Sequence, residues 1–170
     1  MGPTSKIGNI STAAVTLALV EYGISVYVPV GDCYRADLMI ELGERVFRLQ
    51  VKTARIRRGA VHFSARSVSA GPNRIVEQHY RGQIDYFAAY CPDTRKTYLV
   101  AADNVPMTEV NLHLEPTMNN QQQGVRWAAD FEISTVLTKI AAESSSDSSN
   151  ERWRHERTVP LITSALGEVA

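Results

Sequence analysis

Apolar residues recur at helical spacing over Ile10, Ala13, Ala14, Leu17, Ala18 and Val20, with Asn9 ahead of them and Gly23 behind. That pattern predicts an N-capped, half-buried helix over residues 10–22 with a glycine stop. The pattern then changes to alternation. Ile24 to Val30 reads as a short strand ended by Gly31-Asp32, and 35–42 and 45–53 are two apolar-rich runs around Gly43. Residues 61–64 add a fourth strand. A loop or short helix is expected near Gly71 to Arg81, followed by a hairpin from 84–90 to 97–100 across Pro92-Asp93-Thr94. Residues 110–114 suggest one more strand, Gln121-Gln122-Gln123-Gly124 an exposed loop, and Trp127 to Ile140 a second helix. A helix followed by many strands and a closing helix places the chain in the α/β or α+β class.

The register of the hairpin around Gly43 follows from its turn. A two-residue loop with glycine first, as a type II′ turn prefers, pairs Leu42 with Arg45 and Leu38 with Leu49, and sets Asp37 against Gln50. Because side chains alternate, Leu38, Ile40, Leu42, Phe47, Leu49 and Val51 share one face, a core surface for the first helix. Asp37, Arg48, Gln50 and Lys52 share the other. Facing residues bring Cβ atoms to about 4.5–5.5 Å, so a carboxylate, an amide and an ammonium converge there.

Such a patch has a chemistry. A hard divalent ion such as Mg²⁺ takes one or two carboxylates and other oxygens while keeping several waters. Asp37 supplies the carboxylate, and the Gln50 side-chain oxygen and the Val51 carbonyl are further ligands. Lys52 orients a water or stabilises charge on a scissile phosphate. The alternative is a solvated strand face with an ordinary Asp–Lys pair.

Composition and charge narrow the setting. At 170 residues and 18.8 kDa, with 44% apolar and 21% charged residues, the chain suits one domain with its own core. The division expected is a folded domain over 1–142 and a Ser-rich linker and tail over 143–170, because Ser144 to Ser149 cannot bury enough apolar surface to fold. Cys33 and Cys91 form no C-x-x-C pair, and the first residues lack a secretory pattern, so a soluble, cytoplasmic protein with free thiols and no membrane contact is expected. Net charge is zero, yet between Arg45 and Arg81 nine basic residues, eight of them arginine, are opposed by Glu77 alone. That segment suits phosphate binding, with Arg48, Arg55, Arg57, Arg58 and Arg66 as candidates; the bland alternative is a solvated face balanced by acids from elsewhere. His62, His79, His113 and His155 have no metal-ligand spacing. Tyr80, Tyr86, Tyr90 and Trp127 read as core or rim aromatics, and no Gly-rich nucleotide motif is present.

The run Tyr34-Arg35-Ala36-Asp37-Leu38 … Leu49-Gln50-Val51-Lys52-Thr53-Ala54 resembles the bipartite signature of PD-(D/E)XK nucleases, in the branch related to group I intron-encoded homing endonucleases. Gly8-Asn9-Ile10, Val28 to Asp32, Phe63 to Ser67, Tyr80 to Phe87 and Tyr98-Leu99-Val100 extend the likeness over roughly residues 6 to 135. The resemblance implies a restriction-endonuclease-like central mixed β-sheet flanked by helices. It implies metal-dependent hydrolysis of duplex DNA, with Mg²⁺ (or Mn²⁺ as substitute), Asp37, Gln50 and Lys52 catalytic, and assembly as a homodimer or homotetramer. Two positions depart from the pattern. Ala36 stands for the proline of the signature, and Thr12 stands where a first-helix glutamate is usual, which leaves Asp37 as the one carboxylate. A non-catalytic DNA-binding or scaffolding protein, and a Holliday junction resolvase-like nuclease acting on branched DNA, are the competing readings. Asp85 resembles a family acid, with a cap or an ion pair to a nearby arginine as its structural alternative.

Overall fold

The computed structural model describes residues 3–31, 34–71, 74–78, 80, 82–106, 108–115 and 124–147. The elements are α1 (Pro3–Glu21), β1 (Ser25–Tyr27), β2 (Leu38–Leu42), β3 (Arg45–Thr53), β4 (Arg55–Arg57), β5 (Ala60–Ser64), β6 (Ser67–Gly71), β7 (Arg74–Gln78), β8 (Tyr86–Cys91), β9 (Lys96–Ala101), β10 (Glu109–His113) and α2 (Ile133–Asp147). Single 3₁₀ turns, Ala102–Asn104 and Ala128–Phe131, precede β10 and α2 respectively.

Helix α1 starts at Pro3 rather than after Asn9. Proline at a first helical position sacrifices no intrahelical bond, and Gly8 alone is too weak a breaker to stop the helix. Its end is as expected: Gly23 adopts φ 73°, with Gly23 N–H bonded to the Val20 carbonyl and Ile24 N–H to that of Leu19, a Schellman stop. Ser11, Val15 and Leu19, four residues apart, are the buried face.

Five strands form a mixed sheet in the order β1-β2-β3-β8-β9, with β3 and β8 parallel and the other pairs antiparallel. The β2–β3 register pairs Leu42 with Arg45 and Leu38 with Leu49, and Gly43 takes φ 62° while Glu44 keeps a negative φ, as a II′ turn requires. One face of this sheet packs Leu38, Ile40, Phe47, Leu49, Val51, Ala88 and Leu99 against Val15 and Leu19 of α1 and Ile133, Val136, Leu137 and Ile140 of α2. The opposite face packs Phe87, Ala89, Tyr98 and Val100 against Val61, Phe63, Val110 and Leu112. Those four belong to a second, antiparallel sheet, β10-β5-β4. The result is three layers: helices, mixed sheet, small sheet.

Several expectations shift. β1 stops at Tyr27, because Pro29 cannot donate to a ladder, and Val28 and Val30 are exposed. β2 begins only at Leu38. β6 and β7 form an antiparallel pair where a loop or short helix was expected, the β-branched Ile75-Val76 favouring strand; residues 72, 73, 79 and 81 of that stretch lie outside the described residues. The second helix is a 3₁₀ turn followed by α2, and α2 runs on through Ser144-Ser145-Ser146 to Asp147, into the tract expected as linker. The rest of that tail, with Cys33, His79, Arg81, Gln121 to Gln123 and His155, lies outside the described residues; Cys91 is buried and unpaired. Among the described residues no helix is long and apolar enough to cross a membrane.

Strand β4, absent from the sequence-based expectation, pairs with β5 through the two-residue turn Arg58-Gly59, both at positive φ (50° and 74°). A β-carbon is costly there, and Asn tolerates this conformation better than Arg. Arg58→Asn is therefore expected to stabilise the fold by about 0.5–1 kcal/mol, read as a higher urea midpoint at unchanged slope.

Candidate active site

β3 outruns its partner. The β2–β3 ladder ends at Leu38–Leu49, and beyond it, among the described residues, Asp37 meets the outer edge of β3. The Asp37 N–H donates to the Leu49 carbonyl (2.8 Å), and its Oδ2 accepts the Val51 N–H (2.8 Å), so a side chain replaces a backbone rung. This is why β2 starts at Leu38. The Gln50 Nε2 also donates to Asp37 Oδ2 and lies 3.4 Å from the Val51 carbonyl. A strand residue points its N–H and C=O to the same side, so the Val51 carbonyl faces Asp37 too.

Burial pushes the Asp37 carboxyl up from its ordinary range; the Val51 N–H and the Lys52 charge pull it back only in part. A carboxyl desolvated this way gains from a cation beside it. The oxygens facing the site are Asp37 Oδ1, which carries none of these bonds, the Val51 carbonyl, and the Gln50 amide oxygen once the amide turns about its last torsion. Among the described residues no three His, Cys, Asp or Glu side chains gather around a common point. The donors on hand are few, hard oxygens, which fit a divalent ion that keeps most of its water. α1 adds no carboxylate: the Thr12 hydroxyl donates back to the Gly8 carbonyl (3.2 Å), while Ser11 hydrogen-bonds Thr53 (2.6 Å).

Lys52 leaves the same face of β3 as Gln50. Its Nζ donates to the Arg66 carbonyl (3.1 Å) and the Tyr80 hydroxyl (3.1 Å), and sits 4.6 Å from the centroid of the Tyr80 ring. The sequence reading of Tyr80 as a core or rim aromatic gave no sign of this contact, because the two residues lie 28 positions apart.

The five arginines do not share one role. Arg48 is tied down: its Nε and Nη2 bond the two carboxylate oxygens of Asp85 (3.2 and 3.1 Å), and Nη1 reaches the Gly82 carbonyl. Among the five arginines proposed for phosphate, this guanidinium is thus forked onto a carboxylate. Burial alone would raise the Asp85 carboxyl, but the bonds from Arg48, with help from Arg45, outweigh it and hold it below the usual range. Asp85 thus takes the structural alternative, locking the start of β8 to β3. Arg55 and Arg57 lie on β4 and Arg58 at its turn, with Arg57 contacting His62 (3.3 Å), which in turn meets Asn111 (3.1 Å). Arg66 follows β5, its carbonyl taken by Lys52.

The model of the PD-(D/E)XK endonuclease family matches residues 3–134. The chain belongs to that family. Among solved structures, the bacterial homing endonuclease I-Ssp6803I superposes with a TM-score of 0.66 at 23% identity, covering 84% of this chain and 99% of its own. The layered α/β architecture is thus the restriction-endonuclease-like fold. No curated protein matches the sequence. The matched span includes Thr12, Asp37, Gln50 and Lys52.

Proposed function

We propose that this PD-(D/E)XK endonuclease is a metal-dependent enzyme that hydrolyses phosphodiester bonds of duplex DNA. The observation that carries the reading is the Asp37–Gln50–Val51 edge with Lys52 beside it, set where β3 outruns β2. Asp37, the Gln50 amide oxygen and the Val51 carbonyl would hold the ion, Mg²⁺ or Mn²⁺. When bound, a divalent ion supplies Lewis-acid polarisation of a phosphate oxygen and a more acidic water. Lys52 offers its ammonium to the charge that develops on the scissile phosphate, or orients the attacking water. Burial raises the Asp37 carboxyl, and the Val51 N–H and the Lys52 charge pull it back toward the ionised form that a cation needs.

Arg55, Arg57, Arg58 and Arg66 follow the catalytic strand and would grip backbone phosphates, which position DNA without reading it. Replacing Arg55, Arg57 and Arg58 by alanine is expected to flatten the plot of log K against log salt by about 0.9 per lost phosphate contact. An unchanged slope removes them from the interface. Cleavage of a two-fold duplex target further implies a homodimer or homotetramer.

Thr12 favours one second reading, a DNA-binding protein that keeps the fold without the chemistry. Incubation with supercoiled plasmid and with four-way junctions, with and without Mg²⁺, separates the possibilities. Metal-dependent cleavage of plasmid is the expected result, and preference for junctions moves the enzyme to the resolvase class. Binding without cleavage under any divalent metal overturns the nuclease reading.

A further inference from the structure

We infer that Tyr80 is the positioning residue for Lys52, an assignment that rests on the nuclease reading for its functional meaning. A lysine ammonium sits on a flexible four-carbon stem and loses rotamer freedom when fixed. Something must fix it if it is to meet a phosphate in one geometry. Two of its three donors are already directed, one to the Arg66 carbonyl and one to the Tyr80 hydroxyl, each at 3.1 Å. The third is left for substrate or water. The Tyr80 ring, 4.6 Å away, adds a further attraction through its quadrupole.

The anchor itself is rigid. Tyr80 is 6% exposed, and its ring meets Phe87 of the central strand β8 edge-on at 5.4 Å. Its carbonyl accepts the N–H groups of Gln83 and Ile84, closing the turn that leads into β8. Phe87 is itself buried in the layer between the two sheets, so the position of Lys52 is referred through Tyr80 to the core. The chemistry of the partner matters as much as its stiffness. A carboxylate would hold the ammonium by neutralising it, whereas a hydroxyl, a carbonyl and an aromatic face hold it without cancelling its charge. The full positive charge stays available to an anion.

Tyr80→Phe in the full chain tests this, since it deletes one oxygen and keeps the ring against Phe87. Two measurements are needed. The first is acetylation of Lys52 by an activated ester, quantified by peptide mass spectrometry against exposed Lys139, which does not depend on catalysis. The second is plasmid cleavage with Mg²⁺, resolved into kcat and KM. We expect Lys52 labelling to rise severalfold, and kcat to fall by about ten- to a hundredfold with KM for DNA unchanged. Unchanged labelling overturns the contact, and raised labelling with unchanged kcat overturns the positioning role. Raised labelling in a protein whose wild type cuts no DNA leaves Tyr80 holding Lys52 and overturns the nuclease reading instead.

Discussion

Lys52→Ala and Asp37→Ala proteins, incubated with supercoiled plasmid and Mg²⁺, are expected to leave the plasmid intact over times in which the wild type converts it to nicked and linear forms. The loss at either position should reach about 10²–10³-fold or more, the scale seen when a group that stabilises transition-state charge is removed. The two substitutions remove different things. Without Asp37 the edge of β3 has no carboxylate to hold a cation, and the Val51 N–H loses its acceptor. Without Lys52 the edge is intact, and what disappears is the charge held between Arg66 and Tyr80. Excess Mn²⁺ is therefore expected to leave Lys52→Ala inactive. Cleavage by Lys52→Ala at the wild-type rate excludes the ammonium from the reaction.

Asp37→Asn is expected to raise stability while it abolishes cleavage. Burial raises the folded-state affinity of the Asp37 carboxyl for its proton above that of the unfolded chain. Ionising it therefore costs the fold nothing at pH values below the ordinary value of 3.8, and the cost is complete once the pH has risen past the raised folded value. Asparagine keeps an oxygen to accept the Val51 N–H and has no charge to desolvate. At neutral pH the variant should melt above the wild type by a margin that solvent screening of this exposed carboxylate keeps small, and the gain should vanish as the pH is lowered through that window. Addition of Mg²⁺ should raise the melting temperature of the wild type and leave Asp37→Asn unmoved. A variant that melts lower than the wild type at neutral pH makes Asp37 a structural acceptor first.

The two results bear on one question, what replaces the acid that Thr12 does not supply. The structure returns the Thr12 hydroxyl to its own helix, so under the proposed reading metal affinity would rest on a single carboxylate helped by amide and carbonyl oxygens. Sites of that kind bind weakly and keep more water. The Mg²⁺ concentration at which the wild-type melting temperature responds measures that deficit directly.

Much of this site was legible along the chain because its logic is local. A glycine-first turn fixes the hairpin register, the two-residue period then sorts side chains to faces, and Asp37, Gln50 and Lys52 fall together by counting outward from Gly43. The glycine stop of α1 and the core face of β2 and β3 are local in the same sense. Tertiary structure decided whatever depends on contacts between distant segments. Nothing near Tyr80 in sequence reveals that a core ring lies under Lys52, and nothing near Arg48 reveals that Asp85, 37 residues on, would claim its guanidinium. Strand β4 was likewise settled by its pairing with β5. Local turn chemistry and side-chain alternation placed Asp37, Gln50 and Lys52 on one face; only packing across layers determined which charges remain available there and what holds them still.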